Sequence, residues 1–276
     1  MSVGIWTFLD GVPISAVREA AAEVDSLGFD TLWFGEYLGR DAFTQAALLL
    51  AATSKLKVAT GIARFVARGP ASAEAASRSL GEAFPGRFVL GLGGHLPGSR
   101  PVEALRDYLD EMDKAELMIP QPSPRPRRVL AALGPKMLDL ARERTDGAHP
   151  YFVPPEHTAA ARSRLGAGAY LAVEQGVILE PDPAVARALA REHVGTYLGL
   201  AEHHRRNLRR LGFTEADLAG GGSDRLVDAL VATGEEQISA RIRAHLDAGA
   251  DHVCLQALPQ TTTLPLAAWR TLATLI

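Results

Sequence analysis

The sequence predicts an α/β fold closed into a (β/α)8 TIM barrel, with extra helices before the last βα unit, and three observations predict it. A helix, a glycine and a short apolar run recur together, in "SLGFDTLWF" (26–34), "FPGRFVLGL" (84–92), "TDGAHPYFV" (145–153) and "AGADHVCLQAL" (248–258). The glycine suits the left-handed position that ends a helix, and the apolar run suits a strand covered on both faces. Strands and helical segments alternate strictly, which implies parallel strands joined by right-handed crossovers. Eight such units fit within 276 residues, the size of a closed barrel in one domain rather than an open doubly wound sheet.

Taken in order, the strands are expected at 3–8, 30–35, 56–61, 87–92, 128–133, 147–152, 170–179 and 252–257. Alanine- and leucine-rich stretches with helical spacing lie between them, such as 13–27, 41–53, 72–83 and 101–118. "PQPSPRPRR" (120–128) is a proline-rich entry to the fifth strand. The segment at about 193–233 is too long for one crossover. Its pieces "VGTYLGLAEHHRRNLRRLG" and "SDRLVDALVATG" predict a helical insertion beside the barrel. In "AGGGSD" (219–224), Ser223 or Asp224 is expected to cap the next helix. The third strand carries a puzzle: "KVATGIARFVARGP" (57–70) stays apolar past Gly61 without helical spacing. A surface loop there would be polar, so the extension is expected to lie against something flat and apolar.

Composition narrows the class. The chain is 47% hydrophobic and 22% charged, as in ordinary soluble proteins. A net charge of −3 gives no reason to expect nucleic acid or an anionic membrane as partner. The start "MSVGIWTFLDG" lacks a basic region, and no apolar run reaches the roughly 18–20 residues of a membrane span, so a cytoplasmic protein is expected. The single cysteine, Cys254, sits in a strand and is expected to be core.

In a barrel of this kind chemistry belongs at the carboxyl ends of the strands. The residues falling there are Thr7, Phe8, Glu36, Tyr37, Gly61 to Arg64, Gly93 to Leu96, Leu133 to Met137, Tyr151, Phe152, Glu180 and Gln256. This set is largely apolar and aromatic with glycines, which suits a flat ring system better than a sugar phosphate or a metal. "LGLGGHLPG" (90–98) lacks the third glycine of a dinucleotide fingerprint; Gly91 and Gly93 instead read as points of close backbone approach. His95 beyond them is either a proton donor or acceptor or a loop histidine bonded to backbone. In "LAALGPKMLDLA", Gly134 and Pro135 open a helix whose free N–H groups and Lys136 read either as an anion site or as an ordinary barrel turn. The remaining histidines show no zinc spacing, so no metal is expected, and "EHHRRNLRR" (202–210) reads as a solvated helix face.

With these pieces in place the chain resembles the luciferase-like monooxygenase superfamily, and within it the branch that uses the deazaflavin coenzyme F-420. The resemblance spans nearly the whole chain and rests on "GIWTFLD", "ALLLAATSKLKVATGIA", "EAFPGRFVLGLG", "ALGPKMLDLARERTDGAHPYFVPPEHT", "LGFTEADLAGGGSDRLVDALVATG" and "HLDAGADHVCLQAL". It implies a bulge with a cis peptide at Gly61–Ile62, pressed behind the deazaflavin ring. It also implies a coenzyme site at Gly61, Ile62, Ala63, Arg64, Gly93 and Gly94, with the phosphate at Leu133, Gly134, Pro135, Lys136 and Met137. Trp6, Phe8, Tyr151, Phe152 and Gln256 would line the substrate pocket, and His95, Glu36 and Tyr37 are the candidates for proton transfer. Where related dehydrogenases carry acid–histidine, this chain has Glu36–Tyr37, and the short loop after strand four suggests an open pocket.

The implied activity is hydride transfer between C5 of the coenzyme and a small organic substrate, by a protein that resembles homodimeric relatives. Two rivals stand beside it: an FMN-dependent monooxygenase of the same superfamily, and a cofactor-binding or scaffold protein without turnover.

Overall fold

The computed structural model describes residues 2–95 and 98–276. In chain order its elements are β1 (Val3–Thr7), α1 (Ile14–Ser26), β2 (Thr31–Gly35), α2 (Ala42–Ala51), β3 (Lys57–Arg64), α3 (Pro70–Ala83), β4 (Phe88–Gly93) and α4 (Pro101–Asp113). There follow β5 (Arg127–Leu130), α5 (Pro135–Arg144), β6 (Gly147–Ala148), α6 (Pro155–Leu165) and β7 (Tyr170–Ile178). The last stretch holds α7 (Pro183–Leu200), α8 (Glu202–Arg210), α9 (Asp224–Leu230), β8 (Val231–Thr233), α10 (Glu235–Asp247), β9 (His252–Ala257) and α11 (Leu266–Ala273).

The strands run β6-β5-β4-β3-β2-β1-β9-β7-β8, and β6 also pairs with β7, all in parallel. Eight strands therefore close a TIM barrel, as the alternation predicts. The ninth, β8, has no counterpart among the expected strands. Three residues beginning with Val231 at the end of a helical stretch are too short for a period to register. It pairs with Gly176–Ile178 of β7, while the two-residue β6 pairs with Tyr170 and Leu171. Even-numbered residues of β7 bond toward β6 and β8, and Leu171 and Val177 bond toward the β9 side. Strands β6 and β8 thus share one edge of β7 in succession.

Alternation sorts the side chains. Trp6, Trp33, Ala59, Val89, Val129, Ala172 and Cys254 meet inside the barrel, while Ile5, Leu32, Leu90, Leu171, Val173, Val253 and Leu255 face the helices. Full burial of side chains of this size is worth about 1.5–3 kcal/mol each. Cys254 is core as expected, its thiol donating to Val173 O and its pKa pushed up by burial. Helix starts follow their sequence signals: Asp41 caps α2, Asp182 caps α7 ahead of Pro183, and Ser223 caps α9. Gly28 and Gly249 take the left-handed position after α1 and α10 (φ +86° and +99°).

The helical insertion is real, but it begins with α7 at Pro183 rather than near 193, because the helix runs unbroken through that point. Its apolar faces, including Val194, Leu198, Leu208, Phe213 and Leu226, pack with Phe152, Ile178 and Leu258 into a second core. Among the described residues, no helix is long and apolar enough to cross a membrane.

Candidate active site at the barrel mouth

The apolar run past Gly61 is strand after all, with one residue too many. Thr60 pairs with Phe34 and Ile62 with Gly35, so Gly61 is skipped on that side. On the other side Ala59 pairs with Val89 and Ala63 with Leu92, four residues against three. Thr60 Oγ1 fills the gap by bonding both Gly91 N and Gly91 O (2.8 and 2.9 Å). A Cβ on Gly91 would stand 1.9 Å from Thr60 O, and one on Gly93 would stand 3.0 Å from Ala131 Cβ; these are the close approaches the glycines predict. Gly61–Ile62 itself is trans, contrary to expectation; the described cis bonds are Ser123–Pro124 and Leu258–Pro259. The β-bulge absorbs the extra residue without the roughly 3–4 kcal/mol of a non-prolyl cis bond. Beyond Arg64 a 3-10 turn (Phe65–Ala67) buries Phe65 against Tyr108.

Gly61 is open for a reason. Trp6 Nε1 passes beneath it to donate to His149 Nε2 (3.2 Å), and a Cβ there would lie 2.7 Å from that nitrogen. His149 therefore carries its proton on Nδ1, which donates to Ala172 O (3.0 Å). Burial holds its pKa down at about 4, so the ring is a neutral strut. Trp33 likewise donates to His252 Nε2 (3.1 Å) and stacks on His149. Phe8 stands edge-on to Trp6 (4.7 Å between centroids), and Tyr151 tilts against it (5.0 Å). Trp6, Phe8 and Tyr151 therefore share one apolar floor, bordered by the bulge, as the sequence grouped them.

Above the floor stands a polar set. Tyr151 donates to Gln256 Oε1 (2.7 Å) and touches the Tyr197 hydroxyl (2.7 Å). Gln256 Nε2 is buried with no partner. Glu174, only 2% exposed, accepts the Phe152 N–H on Oε2 (2.9 Å), and its Oε1 has no partner. Desolvation pushes this carboxyl up to about 8, against the pull of the Phe152 N–H, so it is protonated at neutral pH. Neither Glu174 nor Tyr197 stands out in the sequence, although Tyr170, Ala172, Glu174 and Gly176 share one strand face. Phe152 takes a left-handed backbone (φ +60°) and sends its ring away from the floor, stacked on Tyr197 (5.0 Å) and edge-on to His204. It anchors the insertion and does not line the floor.

The three proton-transfer candidates separate. The Glu36 carboxylate accepts from Ala42 N (3.1 Å), Arg64 N (2.7 Å) and Arg68 Nη1 (3.0 Å), and also ion-pairs Arg68 Nη2. It ties the ends of β2 and β3 to α2, with every lone pair engaged. Tyr37 is 59% exposed, its ring 6.1 Å from Phe8. His95 is exposed on the loop after β4 and faces α8: burial first, then Arg206 and His95, hold the His203 imidazole below its ordinary value. These three are not gathered around one point.

Helix α5 opens as predicted, with Gly134 as its N-cap and Pro135 in its first turn. The Arg210 guanidinium lies 3.5 Å from where a Gly134 Cβ would stand, adding charge beside the exposed Lys136. A groove of about 800 Å³ continues from Leu133 and Pro135 between α5, α6 and α8, past His157, Asn207 and Arg210. Gly61, Ile62, Ala63, Arg64, Gly93 and Gly94 stand at the ends of β3 and β4, beside β5, with Ile62 half-buried, Arg64 and Gly94 exposed and the rest buried. A flat ring at the bulged end of β3 and an anionic end at α5 fit this arrangement. Among the described residues, no group of three or more His, Cys, Asp or Glu is placed to hold a metal.

Residues 1–107 match the luciferase-like monooxygenase family model. The resemblance read from the motifs thus has independent support over that span. A Mycobacterium tuberculosis protein named as a candidate coenzyme F420-dependent oxidoreductase is 25% identical, the match covering 78% of each chain. Among solved structures, an F420-dependent secondary alcohol dehydrogenase with an F420-acetone adduct superposes with a TM-score of 0.77 at 16% identity, covering 100% of this chain and 98% of that one. The coenzyme F420-dependent tetrahydromethanopterin reductase of Methanopyrus kandleri gives a TM-score of 0.79 at 16% identity, with the same coverage. The chain shares the barrel fold of these two enzymes.

Proposed function

We propose that this chain is a coenzyme F-420-dependent oxidoreductase that moves a hydride between the coenzyme and a small organic substrate at the barrel mouth. The bulged end of β3, lying beside the aromatic floor of Trp6, Phe8 and Tyr151, carries the reading. It leaves the half-buried Ile62 beside glycines at 61, 93 and 94, a surface for a flat ring. A relative and two solved structures named for the same coenzyme support it. Gly61 to Arg64, Gly93 and Gly94 would hold the ring, and Leu133 to Met137 at the start of α5 the anionic end, where free N–H groups and the helix dipole favour negative charge. When bound, a deazaflavin supplies a carbon centre that exchanges hydride and does not readily activate oxygen. The chain's part is to orient the substrate on the floor, exclude water through the aromatic wall and provide hydrogen-bonding groups.

The test is an anaerobic fluorescence titration of the purified protein with the deazaflavin coenzyme and, separately, with FMN. Selective deazaflavin binding in the micromolar range is expected. Preference for FMN would transfer the protein to the monooxygenase reading, and binding neither would remove the oxidoreductase assignment.

A further inference from the structure

We propose that the Tyr197 hydroxyl, delivered by the inserted helix α7, is the group that hydrogen-bonds the oxygen of an alcohol or carbonyl substrate at the mouth. This rests on the oxidoreductase reading above and adds the contact that selects the substrate. Protons along one hydrogen-bonded chain decide which group faces outward. Tyr151 has a single hydroxyl proton and gives it to Gln256 Oε1 (2.7 Å). In the 2.7 Å contact between the two tyrosines, Tyr197 must then be the donor. Its own oxygen is left with lone pairs only, an acceptor suited to an alcohol O–H.

Turning the Gln256 amide over reverses the whole chain. Its NH2 would then donate to Tyr151, Tyr151 to Tyr197, and Tyr197 would present its proton outward to a carbonyl oxygen. Gln256 Nε2 has no partner in its buried site, so no second bond pins the amide in either sense. One chain of three groups therefore serves both oxidation levels of the same carbon–oxygen centre. A site built only from fixed donors or fixed acceptors would favour one of them.

Placement supports the role. The Tyr197 ring is half-buried, stacked on Phe152 (5.0 Å) and tilted against Tyr151 (5.2 Å) beside the floor. Burial raises Tyr197 to about 12, which keeps it a neutral hydroxyl across the physiological range. No ion pair or backbone bond competes for its oxygen among the described contacts.

Dead-end complexes test this without turnover: cyclohexanone titrated onto protein holding oxidised coenzyme, and cyclohexanol onto protein holding reduced coenzyme, each followed by coenzyme fluorescence. Tyr197→Phe removes one oxygen and keeps the stacked ring. It is expected to bind the coenzyme within about twofold of wild type and to weaken both probes about tenfold, one hydrogen bond's worth. A thermal melt unchanged from wild type confirms the fold. Equal binding of the probes to wild type and variant, or binding to neither, overturns the role of Tyr197. The coenzyme titration is read separately, so its failure would count against the oxidoreductase assignment and not against this contact.

Discussion

Glu174 holds a carboxyl group inside the barrel with one oxygen bonded to Phe152 N–H and the other unpartnered. Its pKa stands near 8 in the fold, against an ordinary 4.5 in the unfolded chain. Between those values the folded protein keeps a proton that the unfolded chain has released, so stability falls as pH rises, by about 1.4 kcal/mol per pH unit for this group. Below 4.5 both states are protonated, and above 8 both are ionised and the loss is complete. Glu174→Gln keeps the shape and an acceptor for Phe152. It is expected to stabilise the protein at pH 8, to be close to neutral at pH 4.5, and to flatten the slope between. Urea melts at several pH values measure this; parallel curves for variant and wild type would remove the protonated-acid description. The residue is hard to find in "YLAVEQGVI" because a strand buried on both faces hides which side is the barrel interior. Phe8 and Gln256 were legible because they fall at strand ends, where the barrel rule alone places them.

Among elements, the joint between β2, β3 and α2 is held by Glu36 and Arg68, whose side chains are 8% and 13% exposed. Removing one member of a buried pair costs about 3–5 kcal/mol when the other is stranded. Arg68 retains Asp41 at 2.9 Å, so Glu36→Gln is expected to cost roughly 2–3 kcal/mol. It should also loosen the bulge, because Arg64 N bonds the same carboxylate. Denaturant melts give the energy. A variant as stable as wild type but deficient only in turnover would return Glu36 to the proton-transfer role expected from its position. Position was readable here and partnership was not, since Glu36 and Arg68 are distant in sequence and nothing in "GEYLGR" shows which cation closes on it. The β3 extension was legible as apolar and out of period, but a one-residue bulge appears only in the register with β2 and β4. Strand β8 was missed for a related reason, its three residues being defined by β7 and not by their own pattern.

For the whole molecule, histidines govern the acid side. Desolvation lowers His149, His157 and His193 to about 4 and His204, His245 and His252 to about 3, so all six are neutral in the fold. Several are bonded as neutral rings; His245 donates from Nε2 to Gln175 and accepts Thr158 on Nδ1. Each recovers an ordinary pKa near 6.5 on unfolding. The unfolded chain then binds more protons, and stability is lost as pH falls from 6.5 toward 4. Six such groups outweigh the opposite slope of the single Glu174. The urea midpoint is expected to drop steadily across that window, and a midpoint constant from pH 7 to pH 5 would contradict it. The barrel itself was legible from strand–helix alternation, since eight repeats constrain one another, whereas an insertion meets no such constraint and reveals only its helical character. That insertion leaves the wall at the end of β7 and returns through β8, on the edge of β7 away from β9 that β6 and β8 share in succession. The seam joins two packing units: the segment carrying Tyr197 rests on its own core with Phe152, Ile178 and Leu258, while the ring of eight strands packs around another. A loop change within the insertion would then reach the aromatic floor through the Tyr197–Tyr151 contact.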